Sequence, residues 1–340
     1  MLPTTDHRRC GMTLVELLVV VAIIGLLAVT VLPNVASSTE SRRSREAARV
    51  TSSFFAKAQS RAIGRPEWAG FTIMPPATNP TALYALDLFQ ANVPQVYRGE
   101  SYAATATINP NDTGFTRGLS YYDGTIPAAR NVRANDLIRF DGRGPWYELT
   151  VDGGTGVRMR GTTGGFNNAT ELSGQTERNT PWPTAGVGHP FEILRQPMRN
   201  GTPFTIPDGR CIDLAWSGYG NGTYTRFPVP GTSITLLYDA TGRVRQLFTQ
   251  NASGASRVTV TGPVFFLVGR VDRANNDPTL ASTYDGKDDT TGFNWQYADS
   301  FWVSIDPASG LVKTAECMPG QATVVASQQF IRSEMPAGGR

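Results

Sequence analysis

The chain has 340 residues, 17% of them charged and 40% hydrophobic, which leaves material for one or two folded units beside any membrane segment. Its formal charge of +3 gives no dominant nucleic-acid footprint, and no polynucleotide partner is expected. With two histidines, His7 and His189, in the whole chain, neither a histidine metal cluster nor a Ser/His/Asp arrangement can be built. No catalytic or cofactor-binding residue is therefore assigned, and the chain is read as a non-enzyme.

The first element is a short leader carrying Arg8 and Arg9 and ending in Gly11, followed by Met12-Thr13-Leu14-Val15-Glu16-Leu17 and an apolar run that continues to Leu32. At about 1.5 Å per residue, residues 12–32 match a hydrocarbon core of about 30 Å, so one membrane-spanning helix is expected. Glu16 interrupts that apolar run. An ionised carboxylate at membrane depth costs several kcal/mol unless it is paired or reaches the surface, and a partner is expected for it.

These residues resemble the class III signal of type IV pilins and type II secretion pseudopilins. In that family a dedicated prepilin peptidase cuts after the glycine and N-methylates the new first residue, which implies cleavage between Gly11 and Met12 and methylation of Met12. Glu16 then becomes the fifth mature residue, the one the family pairs with the N-terminal ammonium of a neighbouring subunit. Gly25 and Pro33 fall where pilins place a helix-loosening glycine and proline, and these two join Glu16 as assembly positions.

A secretory signal peptide is the competing reading, but the apolar run is long for the hydrophobic region of such a peptide, and no small-x-small site closes it cleanly apart from Val35-Ala36-Ser37. Charge counting does not fix orientation, because Arg42, Arg43, Arg45 and Arg49 follow the run as Arg8 and Arg9 precede it. The resemblance implies an inner-membrane, single-pass protein, with residues 1–11 a cytoplasmic leader and the remainder periplasmic. Cys10 would leave with the leader. Cys211 and Cys317 then remain as a possible disulfide or as two free thiols, and the sequence leaves both open.

Beyond Pro33, helical spacing resumes through Ala47, Val50, Phe54, Ala58 and Ala62, predicting an amphipathic helix half over 33–64 that Gly64-Arg65-Pro66 terminates. From Trp68 the pattern changes to short aromatic and β-branched runs separated by Gly, Pro, Asn and Asp. Strands are expected at Phe71–Met74, Leu83–Phe89, Leu137–Phe140, Trp146–Val151 and Phe191–Arg195. Two hairpins are clearer: Ser233–Tyr238 with Arg243–Phe248 about the turn Asp239-Ala-Thr-Gly242, and Phe301–Ile305 with Leu311–Ala315 about Asp306-Pro-Ala-Ser-Gly310. The fold class is α+β, a long N-terminal helix followed by an antiparallel β-rich head.

Ala47–Ile73 and the Asp-x-x-Gly-Arg hairpin within Leu236–Val244 resemble H-type minor pseudopilins and FimT-like minor pilins. Residues 77–231 have no counterpart there and are read as a loop-rich insertion in a head spanning 65–325, with 326–340 as a C-terminal tail. Gly153-Gly154-Thr155-Gly156 and Gly161-Thr-Thr-Gly-Gly165 lack the following Gly-Lys-Ser/Thr of a phosphate loop, so no nucleotide site is expected. Asp285, Asp288 and Asp289 are weak calcium candidates without EF-hand spacing, and a solvated loop is the preferred reading. His189, between Gly188 and Pro190, is read as a surface or packing residue.

The resemblance implies a minor pseudopilin, a structural subunit of the periplasmic filament of a type II secretion system. Retention of Glu16 argues against the apical subunit class. The alternative is a minor type IV pilin in pilus assembly, adhesion or DNA uptake, for which Arg332 and Arg340 offer two dispersed charges to phosphate. The implied partners are the prepilin peptidase, other pseudopilins or pilins of the filament, the inner-membrane assembly platform and the lipid bilayer.

Overall fold

The computed structural model describes residues 14–65, 67–109, 116–123, 126–127, 136–151, 157–161, 183–207, 209–221, 223–228, 231–251, 254–258, 260, 262–274, 284 and 291–334, the side chains of 27–39, 116–118, 120–123, 126–127, 144–145, 150–151, 157–161, 251 and 254–256 excepted. One helix, α1 (Leu14–Ala62), runs unbroken through positions 25 and 33. The glycine and proline therefore do not end it. It stops where the sequence stops it: Gly64 takes φ +76°, the left-handed conformation that closes many helices.

The buried stripe of α1 is Ser44, Ala47, Ala48, Thr51, Phe55, Ala58 and Ala62, a three- and four-residue recurrence. Val50 and Phe54, expected within it, lie on its flank and are half-buried, while the polar Ser44 and Thr51 fall inside. The helix contacts two sheets at once, and this widens the buried face. Small residues let it approach closely, and Phe55 supplies the bulk, stacking on Phe71 at 4.1 Å and meeting Phe266 at 5.2 Å.

All strand pairings among the described residues are antiparallel. The first sheet runs β12 (Met198–Thr205), β3 (Asp87–Asn92), β1 (Ala69–Met74), β15 (Ser233–Tyr238), β16 (Val244–Asn251), β17 (Gly254–Val258). The third runs β14 (Thr225–Arg226), β13 (Arg210–Tyr219), β18 (Val264–Arg270), β19 (Phe301–Ile305), β20 (Val312–Glu316), with β2 (Tyr84–Ala85) also on β13. Both pack against α1 in one hydrophobic cluster that includes Phe71, Ile234, Leu236, Phe266, Val303 and Ile305. This is the α+β, pilin-like arrangement.

The second sheet runs β10 (Gly188–His189), β4 (Ala104–Ile108), β5 (Thr116–Asp123), β9 (Val157–Gly161), β8 (Arg143–Val151), β7 (Leu137–Phe140), β11 (Phe191–Leu194), and β6 (Ile126–Pro127) pairs with β5. It has its own core of Ile108, Ile138, Phe140, Tyr147, Leu149, Phe191 and Ile193. Residues 77–231 are thus divided: β4 to β11 build this separate sheet, while β2, β3, β12, β13 and β14 belong to the two sheets that hold the helix.

The expected strand Leu83–Phe89 is two strands. Ala85 pairs with Ile212 in the third sheet and Leu88 with Ile73 in the first. The chain changes sheets at Leu86, whose carbonyl accepts from the Ile206 amide at 2.9 Å, a corner of the kind that joins packed sheets. At the C-terminus, the short helices α2 (Val324–Ser327) and α3 (Gln329–Ser333) follow β20. Ile331 caps a cluster on the outer face of the third sheet with Phe265, Trp295 and Trp302.

The Cys211–Cys317 bridge is not formed; both thiols are free and buried. Cys211 pairs with Gly269 across β13 and β18, and the Cys317 amide donates to the Ser300 carbonyl at 2.9 Å. Two strands therefore separate the cysteines. At about 4.8 Å per strand they lie roughly 14 Å apart, beyond the roughly 7 Å that a disulfide spans.

Candidate functional site

From Leu14 to Leu26 every residue of α1 is exposed, although nearly all are apolar. Leu14 is 80% and Leu26 69% accessible. A helix that is apolar on all sides belongs in lipid or against other helices. Among the described residues no helix is long and apolar enough to cross a membrane. The expected span over 12–32 runs beyond those residues, at Met12 and Thr13 on one side and at the side chains of 27–32 on the other.

Glu16 lies in the first turn of α1, where the helix dipole favours an anion. A Cβ placed on Gly25 would meet nothing within 4 Å, so a neighbouring helix has room to approach there. Gly11 and Met12, and the side chain of Pro33, lie outside the described residues.

The head holds the next stretch of the helix by charge and by shape. Arg210, 3% exposed at the start of β13, donates through Nη2 to Glu40 Oε2 at 2.5 Å and to the Glu40 carbonyl at 3.0 Å. The Arg210 hydrogen bond holds the Glu40 carboxyl below its usual range, against the opposing effect of burial. An exposed pair, Arg45 to Glu316 at 3.0 Å, ties the helix to the end of β20.

One helical turn from its C-terminus, Gln59 Nε2 donates to the Gly242 carbonyl at 3.0 Å and to the Ser309 carbonyl at 2.9 Å. Both hairpin turns legible in the sequence therefore dock on one side-chain amide. The Gly64 amide adds a bond to the Ala240 carbonyl at 3.1 Å. The result is a mechanical coupling, in which a force on the N-terminal half of α1 passes into two sheets.

Among the described residues, the remaining sequence candidates do not assemble into a second centre. Asp285, Asp288 and Asp289 lie outside the described residues, as do Gly153–Gly156 and Arg340. No group of three or more metal-ligating side chains occurs among the described residues. Arg332 faces inward, bonding the Asn221 carbonyl at 2.7 Å and lying 4.7 Å over the Phe265 ring, and so does not stand ready for phosphate. His189 is held by Asp141 Oδ2 at 3.1 Å and the Thr184 carbonyl at 3.1 Å, the partners of a packing residue. Glu40, Gln59 and Arg210 were not legible as functional residues. Their sequence signal is ordinary for an exposed helix and a strand start, and their partners lie more than a hundred residues away.

Residues 6–32 match the family described as the prokaryotic N-terminal methylation motif. No curated protein matches the chain. No solved structure matches it either.

Proposed function

We propose, from the N-terminal methylation motif at residues 6–32, that this chain is a type IV pilin-like filament subunit, specifically an H-like minor pseudopilin of a type II secretion system. It is a structural element and not a catalyst. Prepilin peptidase hydrolyses the bond between Gly11 and Met12, and methylation of the new terminus keeps its charge. Residues 12–32 anchor the chain in the inner membrane, residues 33–64 carry the helix into the periplasm, and the β-rich head contacts other subunits.

The observation that carries the reading is the coincidence of this motif with a helix exposed on every side from Leu14 to Leu26. Glu16, in the first turn of that helix, sets axial register by pairing with the Met12 ammonium of a neighbouring subunit. The head supports the role mechanically, because Gln59 and the Glu40–Arg210 pair couple it to the helix.

Two measurements test this. Deleting the gene should trap exported proteins in the periplasm and complementation should release them; unchanged export with lost piliation would transfer the chain to a type IV pilus. Glu16→Ala should insert and be cleaved to methylated Met12 yet co-purify poorly with other filament subunits. Normal incorporation of that variant would remove the register role.

A further inference from the structure

The second sheet carries a cleft that the filament reading does not use. It encloses about 680 Å³, within the range of small-molecule sites, and is built from three separated segments: Arg98–Tyr102 with Ala104, the Gly142 turn, and Pro190–Glu192. Gly99 permits the close passage of the first segment. Its φ is +93°, and a Cβ there would stand 2.1 Å from Ala104 Cβ and 3.7 Å from the Phe191 ring.

Glu192 is fixed at the back of the cleft with its side chain 11% exposed. Arg98 Nη2 donates to its Oε1 at 2.7 Å and Arg139 Nε to its Oε2 at 2.6 Å. Arg139 in turn lies 4.7 Å over the Trp146 ring. Burial raises the Glu192 pKa, but the hydrogen bonds from Arg139 and Arg98 outweigh it and keep the carboxyl below its usual range. The acid is thus ionised and immobile, and it orients the Arg98 guanidinium, which remains 70% exposed.

Glu100 stands on the rim, accepting from the Tyr97 hydroxyl at 3.3 Å. Tyr102 projects fully into solvent, an unusual position for so large a ring in a folded protein. Arg98, Glu100 and Glu192 line the cleft, and Arg139, outside the lining, offsets the charge of Glu192 from behind. The balance favours neither an anion nor a cation, and the fixed planar groups suit a ligand rich in hydroxyls.

We propose that this cleft binds a neutral saccharide, with the Tyr102 ring stacked on the apolar face of a sugar and Arg98, Glu100 and Ser101 bonding its hydroxyls. Preorganisation of Arg98 by Glu192 lowers the ordering cost that limits weak polar ligands. No covalent step is involved. The proposal stands independently of filament assembly, since it concerns the isolated chain.

The test is calorimetric titration of the full chain, held in a detergent without a sugar headgroup, with maltohexaose, cellohexaose, chitohexaose and laminarihexaose. At least one should bind with a Kd below about 1 mM, largely independent of salt. Tyr102→Ala should weaken it about tenfold or more at an unchanged melting temperature, and Arg98→Ala, which also takes one of the two partners from Glu192, should weaken it at least as much. The proposal is overturned if no member of the panel binds, if Tyr102→Ala binds as well as the parent, or if binding falls steeply with salt as for an anionic ligand.

Discussion

Asp213 is a buried carboxylic acid whose environment opposes its charge. It is 1% exposed on β13, and its Oδ2 accepts from Asn294 Nδ2 at 2.9 Å. Burial pushes its pKa up to about 7, against the Asn294 hydrogen bond. Because the folded state holds this proton more tightly than the unfolded chain, Asp213 supports stability most at low pH. That support declines as pH rises from about 4 to about 7 and is gone above it. Asp213→Asn should erase the slope across this window. Above pH 7 it should exceed the parent in stability by up to roughly 4 kcal/mol, at about 1.4 kcal/mol per unit. Melting temperatures of both proteins between pH 4 and 8 test this, and a parent that gains on the variant as pH rises would refute it. The charge at 213 was visible in the sequence but its burial was not, since that depends on Asn294, which lies far along the chain.

Among the elements, the two hairpins about Gly242 and Gly310 were legible because their turns are locally determined. Asp239 Oδ1 accepts from the Thr241 and Arg243 amides, Asp306 Oδ2 accepts from the Ser309 amide, and each turn closes on a glycine at positive φ. Leu83–Phe89 was misread because nothing local marks Leu86 as a change of sheet; that is decided by the pairings of Ala85 with Ile212 and Leu88 with Ile73. The α1 stripe was legible at Ala47, Ala58 and Ala62 but not in its width, because a helix against two sheets buries a wider face than one alternation predicts. Gly310 is where the hairpins and helix meet most tightly. Its φ is +70°, and a Cβ would stand 1.9 Å from the Gly242 carbonyl oxygen and 2.4 Å from Gln59 Nε2. Gly310→Ala should therefore destabilise by about 2 kcal/mol or more, combining backbone strain with a clash against fixed backbone. Gly201, at φ +81° with nothing within 4 Å of a Cβ, provides the comparison: Gly201→Ala should cost about 1 kcal/mol. Equal losses in thermal melts would mean that the contact with Gly242 relaxes freely.

At the scale of the whole molecule, the second sheet is inserted between two strands that are already neighbours. β3 leaves the first sheet at Asn92, and β12 returns with Met198 paired to that same residue. The sheet carries its own core, and it meets the first sheet through a small cluster in which Leu194 packs against Ala91, Val93, Leu237 and Phe248. The cleft was invisible in the sequence because Arg98, Gly142 and Glu192 come together only when β7, β8 and β11 pair. Replacing residues 94–196 by a two-residue Asn-Gly turn should leave the helix and its two sheets folded, since neither Gln59 nor the Glu40–Arg210 pair touches the deleted part. Arg257, which lies 5.5 Å over the Phe248 ring and within the field of Glu148 and Asp136, would pass into water, where it needs no partner. On the proposed filament role and the proposed saccharide site, the shortened chain should still yield methylated Met12 and co-purify with filament subunits while losing saccharide binding. If it is degraded before cleavage, the second sheet is part of the scaffold; if it assembles but no longer supports export, the inserted sheet is where the filament meets its cargo.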